Sequence, residues 1–123
     1  MSVVAATTVA AMCGIIGYTG PRVARDVVVA GLRRMEYRGY DSAGVALIND
    51  HIINITKSSG RISVLESLLT EPNPTEILGI AHTRWATHGV PNTINAHPHL
   101  DYTGKIALAH NGIIENYSAL KTF

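Results

Sequence analysis

Three short stretches of this sequence hold side chains suited to chemistry. Cys13, in Met12-Cys13-Gly14-Ile15-Ile16-Gly17-Tyr18, is the single cysteine of the chain. A lone thiol makes no intramolecular disulfide, so it is a small buried apolar residue, a metal ligand or a nucleophile. The second stretch, Ala81-His82-Thr83-Arg84-Trp85-Ala86-Thr87-His88-Gly89, combines histidines, threonines, an arginine and a tryptophan. Arginine offers a planar fork that grips a carboxylate through two parallel hydrogen bonds. With Thr87 and His88 beside it, Arg84 makes a pocket for a small carboxylate; the plainer alternative is a surface loop around a partly buried Trp85. The third stretch is Ala109-His110-Asn111-Gly112-Ile113-Ile114-Glu115-Asn116. A side-chain amide followed by an unobstructed glycine N–H can aim two donors at one oxygen, the minimal equipment of an oxyanion hole. Asn-Gly is also a hairpin turn, but here a helix-like segment and not a strand follows it.

The six histidines (51, 82, 88, 97, 99 and 110) raise a metal site as an alternative, with His97 and His99 joined by His82 or His88. No cysteine pair, His-Glu-x-x-His or carboxylate cluster accompanies them, so the pattern carries little specificity for metal. His51 reads as an exposed turn residue.

The elements that must position these side chains follow from hydrophobic periodicity. Residues 13–18 read as a short buried strand. Gly20-Pro21 punctuates the chain, with Pro21 suited to a first helical position. Apolar residues at 23, 24, 27, 28, 32 and 35, with Gly31 on the same side, form a stripe of helical period, and Arg33 and Arg34 suit a helix C-terminus. A glycine-containing loop follows, then two strands, 44–49 and 51–57, joined around Asn49-Asp50 as a hairpin. Residues 62–70 read as a short helix, 71–76 as a loop fixed by two prolines, and 77–84 as a strand. Residues 85–104 form a long irregular segment, a kind of loop that in compact domains is functional or disordered. Residues 105–112 read as a fourth clear strand, and 113–123 begin a helix that the end of the sequence interrupts. The sequence therefore reads as the N-terminal part of a larger unit, inactive on its own.

Composition excludes several classes of function. The chain has 123 residues, 46 % of them hydrophobic and 15 % charged, with a net charge of +1. That describes at most one globular domain with a real core. The ten Lys and Arg residues are scattered, which argues against nucleic acid as a partner. No apolar run approaches the ~20 residues that span a bilayer, so no membrane role is expected. Residues 1–12 read as a leader absent from the mature protein. The apolar part is broken by Thr7 and Thr8, there is no basic start, and Met12 before Cys13 is unlike a lipoprotein cleavage site. A single free thiol fits a reducing cytoplasm.

Taken together, "MCGIIGY", "LRRMEYRGYDSAG", "HTRWATHG", "NAHPH" and "HNGIIEN" occur in an order and spacing that resembles the glutamine–fructose-6-phosphate aminotransferase family, the glucosamine-6-phosphate synthases. The resemblance runs from residue 12 to about residue 120. Amidophosphoribosyltransferase shares the cysteine start and the Arg-Gly-x-Asp-Ser-Ala-Gly loop, but Tyr40, Trp85 and His88 favour the aminosugar family. A non-enzymatic or metal-binding module is the third alternative.

The resemblance implies an α+β fold, the four-layer α/β/β/α sandwich of the N-terminal-nucleophile hydrolases, incomplete over residues 13–123. It implies the class II glutaminase half of an enzyme that makes glucosamine 6-phosphate and glutamate from glutamine and fructose 6-phosphate, with no cofactor and as a homodimer. In that family pattern Cys13 is the nucleophile and its own α-amine the general base, while Asn111 and Gly112 hold the oxyanion. Arg84, Thr87 and His88 bind the glutamine carboxylate. Arg38, Tyr40 and Trp85 flank the pocket or belong to a closing loop, and His97 and His110 support it. The acidic residue for the glutamine α-amino group and the sugar-phosphate residues are expected beyond Phe123.

Overall fold

A computed structural model describes residues 13–86 and 89–122. Among these, four strands form one antiparallel sheet: β1 (Gly14–Thr19), β2 (Ser42–Asn49), β3 (Ile52–Ser59) and β4 (Leu78–Arg84). Their spatial order is β1-β4-β2-β3, so the last of the four in sequence is inserted between the first two. Register pairs Ile15 with His82, and Gly44 with both His82 and Lys57. Helices α1 (Ala24–Met35) and α2 (Ile62–Leu68) cover one side of this sheet.

Strand alternation assigns the faces. Ile16, Tyr18, Ala43, Val45, Leu47 and Ala81 point toward the helices and pack with Val28, Leu32, Ile62 and Leu65. Leu32, Ile62 and Leu65 are fully buried, and each such side chain contributes about 1.5–3 kcal/mol through removal of apolar surface from water. The carboxylate of Glu66 pairs with Arg33, tying α2 to the basic end of α1.

Helix α1 starts later than Pro21 would place it. Its cap is Val23, with no side-chain hydrogen bond, and the Ala24 N–H donates to the Glu76 carbonyl at 2.6 Å. Docking on the segment before β4 thus sets the start, in place of the proline. The β2–β3 turn is centred on Asp50 and His51, both at positive φ, one residue later than the Asn49-Asp50 expectation. Two positive φ values match the twist of an antiparallel pair, and His51 is exposed as expected.

The other side of the sheet carries the segment from residue 89 onward. The Lys57 ammonium donates to the carbonyls of Ala96 (2.8 Å) and Ile94 (3.2 Å). A Cβ on Gly44 would lie 2.3 Å from the His97 carbonyl oxygen, so only glycine admits this close approach. Here two sequence expectations are corrected. Within residues 85–104, taken as irregular, His99–Leu100 forms β5. Within 105–112, taken as a full strand, only Ala107–Leu108 is a strand, β6, paired with β5. Ile106 and Leu108 are 61 % and 52 % exposed. A strand gains from burial of one face, and these side chains have no layer over them among the described residues. For the same reason the helix expected over 113–123 is one turn, α3 (Tyr117–Leu120), whose Tyr117 and Leu120 stay half exposed. The β5–β6 connection is organised by Asp101, whose carboxylate accepts from the N–H groups of Thr103, Lys105 and Ile106.

Candidate active site

Cys13 immediately precedes β1, and β4 is its neighbour in the sheet. The Trp85 N–H, just past the end of β4, donates to the Cys13 sulfur at 3.2 Å, and the thiol faces the Trp85 carbonyl at 3.6 Å. Cys13 is partly exposed, so it is neither sealed in the core nor disulfide-bonded. It is the backbone of Trp85 that holds the sulfur; the indole is 41 % exposed.

Asn111 comes to the same place from the far end of the chain. Its Nδ2 lies 3.4 Å from the Cys13 carbonyl oxygen, and its Oδ1 lies 2.7 Å from His82 Nε2. Gly112, beside it, has φ +153°, and a Cβ there would meet His110 Nε2 at 2.9 Å. Conformation thus favours glycine at this position, and a Cβ would also push the His110 ring aside. The structure therefore brings Cys13, Trp85, Asn111, Gly112 and His110 into one neighbourhood.

Arg84, the last residue of β4, is buried on the same sheet face as His82, two residues earlier. Its Nη1 donates to the Val90 carbonyl at 3.3 Å, which places the guanidinium under the loop that follows. Thr87 and His88 lie outside the described residues. Arg38 ends a short 3-10 turn, Glu36–Arg38, after α1. Tyr40 serves a different joint. Its hydroxyl donates to Glu36 Oε1 (2.7 Å) and accepts from the Ile62 N–H (2.8 Å), linking the end of α1 to the start of α2.

Two further residues shape this site: Asp41, which the sequence reading left without a role, and His82, which it raised only as a metal-ligand alternative. Asp41 accepts from the Ala86 N–H through Oδ2 at 2.6 Å, while its own N–H donates to the Arg84 carbonyl and its carbonyl accepts from Gly60. It therefore clamps the chain on both sides of Trp85. His82 is 1 % exposed and stacks on His97, with ring centroids 4.6 Å apart; His97 Nδ1 in turn accepts from the His110 N–H. His97 also meets His99 edge-on at 4.5 Å. Strand period alone signals His82, because it shares a face with Arg84.

These imidazoles are kept neutral. Burial is the main cause for both His82 and His97, whose pKa values fall to about 4. For His82 the Asn111 hydrogen bond opposes the shift, and Arg84, His99 and His110 add to it. Among the described residues no three His, Cys, Asp or Glu side chains are arranged to hold a metal ion. Unfolded histidines titrate near 6.5, so between about pH 6.5 and 4 the unfolded chain binds more protons than the folded one. Stability is therefore fully present above pH 6.5 and is lost as pH falls toward 4. The thermal midpoint, followed by circular dichroism, is expected to be flat near pH 7–8 and to drop steadily below 6.5. A midpoint unchanged down to pH 4.5 would contradict the neutral pair.

No helix among the described residues is long and apolar enough to cross a membrane. No protein-family model matches the chain. It is 57 % identical over 111 residues to glutamine–fructose-6-phosphate aminotransferase (isomerizing) of Bacteroides thetaiotaomicron. It is 59 % identical over 110 residues to the protein of that name from Pyrococcus horikoshii, and 57 % over 111 residues to that of Streptomyces coelicolor. Each match covers 89 % of this chain and 18 % of the relative. The chain therefore belongs with the glutamine–fructose-6-phosphate aminotransferases, as the counterpart of a stretch that makes up 18 % of their length.

Proposed function

We propose that these residues are part of a glutaminase unit in which Cys13 is the nucleophile. The observation that carries this reading is the meeting of Cys13 with Asn111 and the Trp85 N–H, groups brought together from three distant parts of the sequence. Supporting it is the similarity to enzymes named as aminotransferases that use glutamine. The Cys13 sulfur attacks the side-chain carbonyl carbon of glutamine, and its proton passes to the α-amine of Cys13. The carbonyl π electrons move to oxygen, which Asn111 Nδ2 and the Gly112 N–H hold as an oxyanion. When the C–N bond breaks, the α-amine returns the proton and ammonia leaves. Water then attacks the thioester, the amine again taking and returning a proton, and glutamate is released with the thiol restored.

Arg84 takes the glutamine α-carboxylate, with Thr87 and His88 beside it. Arg38 and Trp85 flank the entrance, Tyr40 braces it from the α1–α2 joint, and His97 and His110 brace the Asn111 side. The sheet faced by α1 and α2 on one side, with β5–β6 on the other, fits the first half of a four-layer α/β/β/α N-terminal-nucleophile sandwich. In the full-length enzyme the ammonia passes to fructose 6-phosphate in another domain, giving glucosamine 6-phosphate in a cytoplasmic homodimer.

The test of this reading is Arg84→Ala in the full-length enzyme. A carboxylate gripped in ground and transition states alike contributes uniform binding, so its loss raises KM and spares kcat. Hydrogen bonds to charged groups contribute about 1.5–3 kcal/mol, which corresponds to a rise in glutamine KM of roughly 10- to 150-fold. Steady-state ammonia release measures it. An unchanged KM removes Arg84 from the carboxylate site.

A further inference from the structure

The amide of Asn111 has two ends of similar size and opposite hydrogen-bonding character. Only one orientation serves an oxyanion: Nδ2 must face it, because Oδ1 would repel it. Rotation by half a turn is sterically inexpensive, so a partner of fixed character must choose between the two. His82 is that partner. Oδ1 accepts and cannot donate, so the 2.7 Å contact requires the proton of the neutral imidazole to sit on Nε2. The other nitrogen, Nδ1, is buried without a hydrogen-bond partner among the described residues, so no acceptor there competes with Asn111 Oδ1 for the ring proton. With Oδ1 held by His82, Nδ2 points to Cys13, where it lies 3.4 Å from the carbonyl oxygen.

The surroundings hold His82 in this state. Arg84 on its own strand, His97 stacked against it, and His99 and His110 from the covering segment are the titratable groups that face it. None is acidic, so nothing there favours a second proton on the ring. Gly44 completes the arrangement, since any side chain would displace the His97 backbone that carries the stacked ring.

Resting on the glutaminase reading above, we propose that His82 is a positioning residue, whose Nε2–H fixes the amide of Asn111 so that Nδ2 faces Cys13 and the developing oxyanion. It touches neither substrate nor sulfur and acts only through Asn111.

A double-mutant cycle in the full-length enzyme tests this. His82→Leu is expected to lower kcat for glutamine hydrolysis by roughly 10²-fold, the cost of one mis-set oxyanion donor, with glutamine KM within about threefold. His82→Gln recovers part of the loss, because its amide N–H₂ can donate to Oδ1. The double variant His82→Leu/Asn111→Ala is no slower than Asn111→Ala alone. Alkylation of Cys13 by iodoacetamide, a displacement at saturated carbon that creates no oxyanion, keeps its rate in every variant. Should the leucine variant unfold, His82→Asn, whose shorter amide falls short of Oδ1, takes its place in the cycle. Additive losses in the double variant, or alkylation that falls in step with hydrolysis, would overturn the positioning role while leaving the glutaminase reading intact. A wild-type enzyme that releases no ammonia from glutamine overturns both.

Discussion

Cys13→Ala in the full-length enzyme is expected to abolish ammonia release from glutamine, a loss of more than about 10⁴-fold. The size follows from the chemistry, because without the sulfur there is no thioester and the two-step route disappears. What remains is weak catalysis by the oxyanion donors acting on water. The substitution leaves the scaffold alone. Cys13 is partly exposed and precedes β1, so the β1–β4 ladder from Gly14 to Thr19 keeps all its pairs. Its cost in stability should therefore stay within about 1 kcal/mol. Sugar isomerisation, which the proposed function places in another domain, should persist at near wild-type rate. Comparing glutaminase and isomerase rates of one preparation checks both statements together. Residual glutaminase above about one per cent would exclude Cys13 as the nucleophile.

The second large effect concerns what precedes Cys13. If its own α-amine is the general base, a peptide bond at that nitrogen removes the base outright. A free α-amine has a reference pKa of about 7.7–8.0, well matched to proton transfer near neutral pH, whereas an amide nitrogen has no available lone pair. General-base catalysis is worth about 10²–10⁴-fold. Enzyme that retains "MSVVAATTVAAM" is therefore expected to lose at least 10²-fold in glutaminase rate relative to enzyme that begins at Cys13. Intact mass and N-terminal sequencing of active protein, set beside a form made with residues 1–12 retained, give the answer. Full activity with the leader in place would sink the N-terminal-nucleophile assignment.

Local pattern was enough to locate most of the main sheet and its helices. The stripe from Val23 to Met35, the alternation in residues 77–84 and the paired apolar runs around Asp50 each encode burial of one side, and α1, β4 and β2–β3 follow within a few residues. These segments bury most of their apolar residues, with Ile52, Ile77 and Leu78 at strand ends left exposed, so local and tertiary preferences largely agree. Residues 105–123 show the opposite case. Their apolar pattern asks for a strand and a helix, but Ile106, Leu108, Tyr117 and Leu120 find no layer to bury against among the described residues. Regular structure there shrinks to two residues of strand and one helical turn. Periodicity states a demand for burial, and only the surrounding chain can meet it.

The same division holds at the site. Residue type and order raised Cys13, Arg84, Asn111 and Gly112 as candidates, each beside a plainer alternative, and the family resemblance gave them their expected roles. The sequence could not show that Trp85 serves the sulfur through its backbone, across 72 positions, or that Asn111 reaches Cys13 across 98. Nor could it show that Asp41 clamps both sides of Trp85, or that His82 faces Asn111. Those contacts depend on the insertion of β4 between β1 and β2 and on the segment around His97 folding over the open sheet face. Hydrogen-bond partners far apart in sequence are chosen by which strands pair and which face is covered, and no local period records that choice. The chain's own residues determined what chemistry was available; the tertiary fold decided which groups stand within reach of one another to perform it.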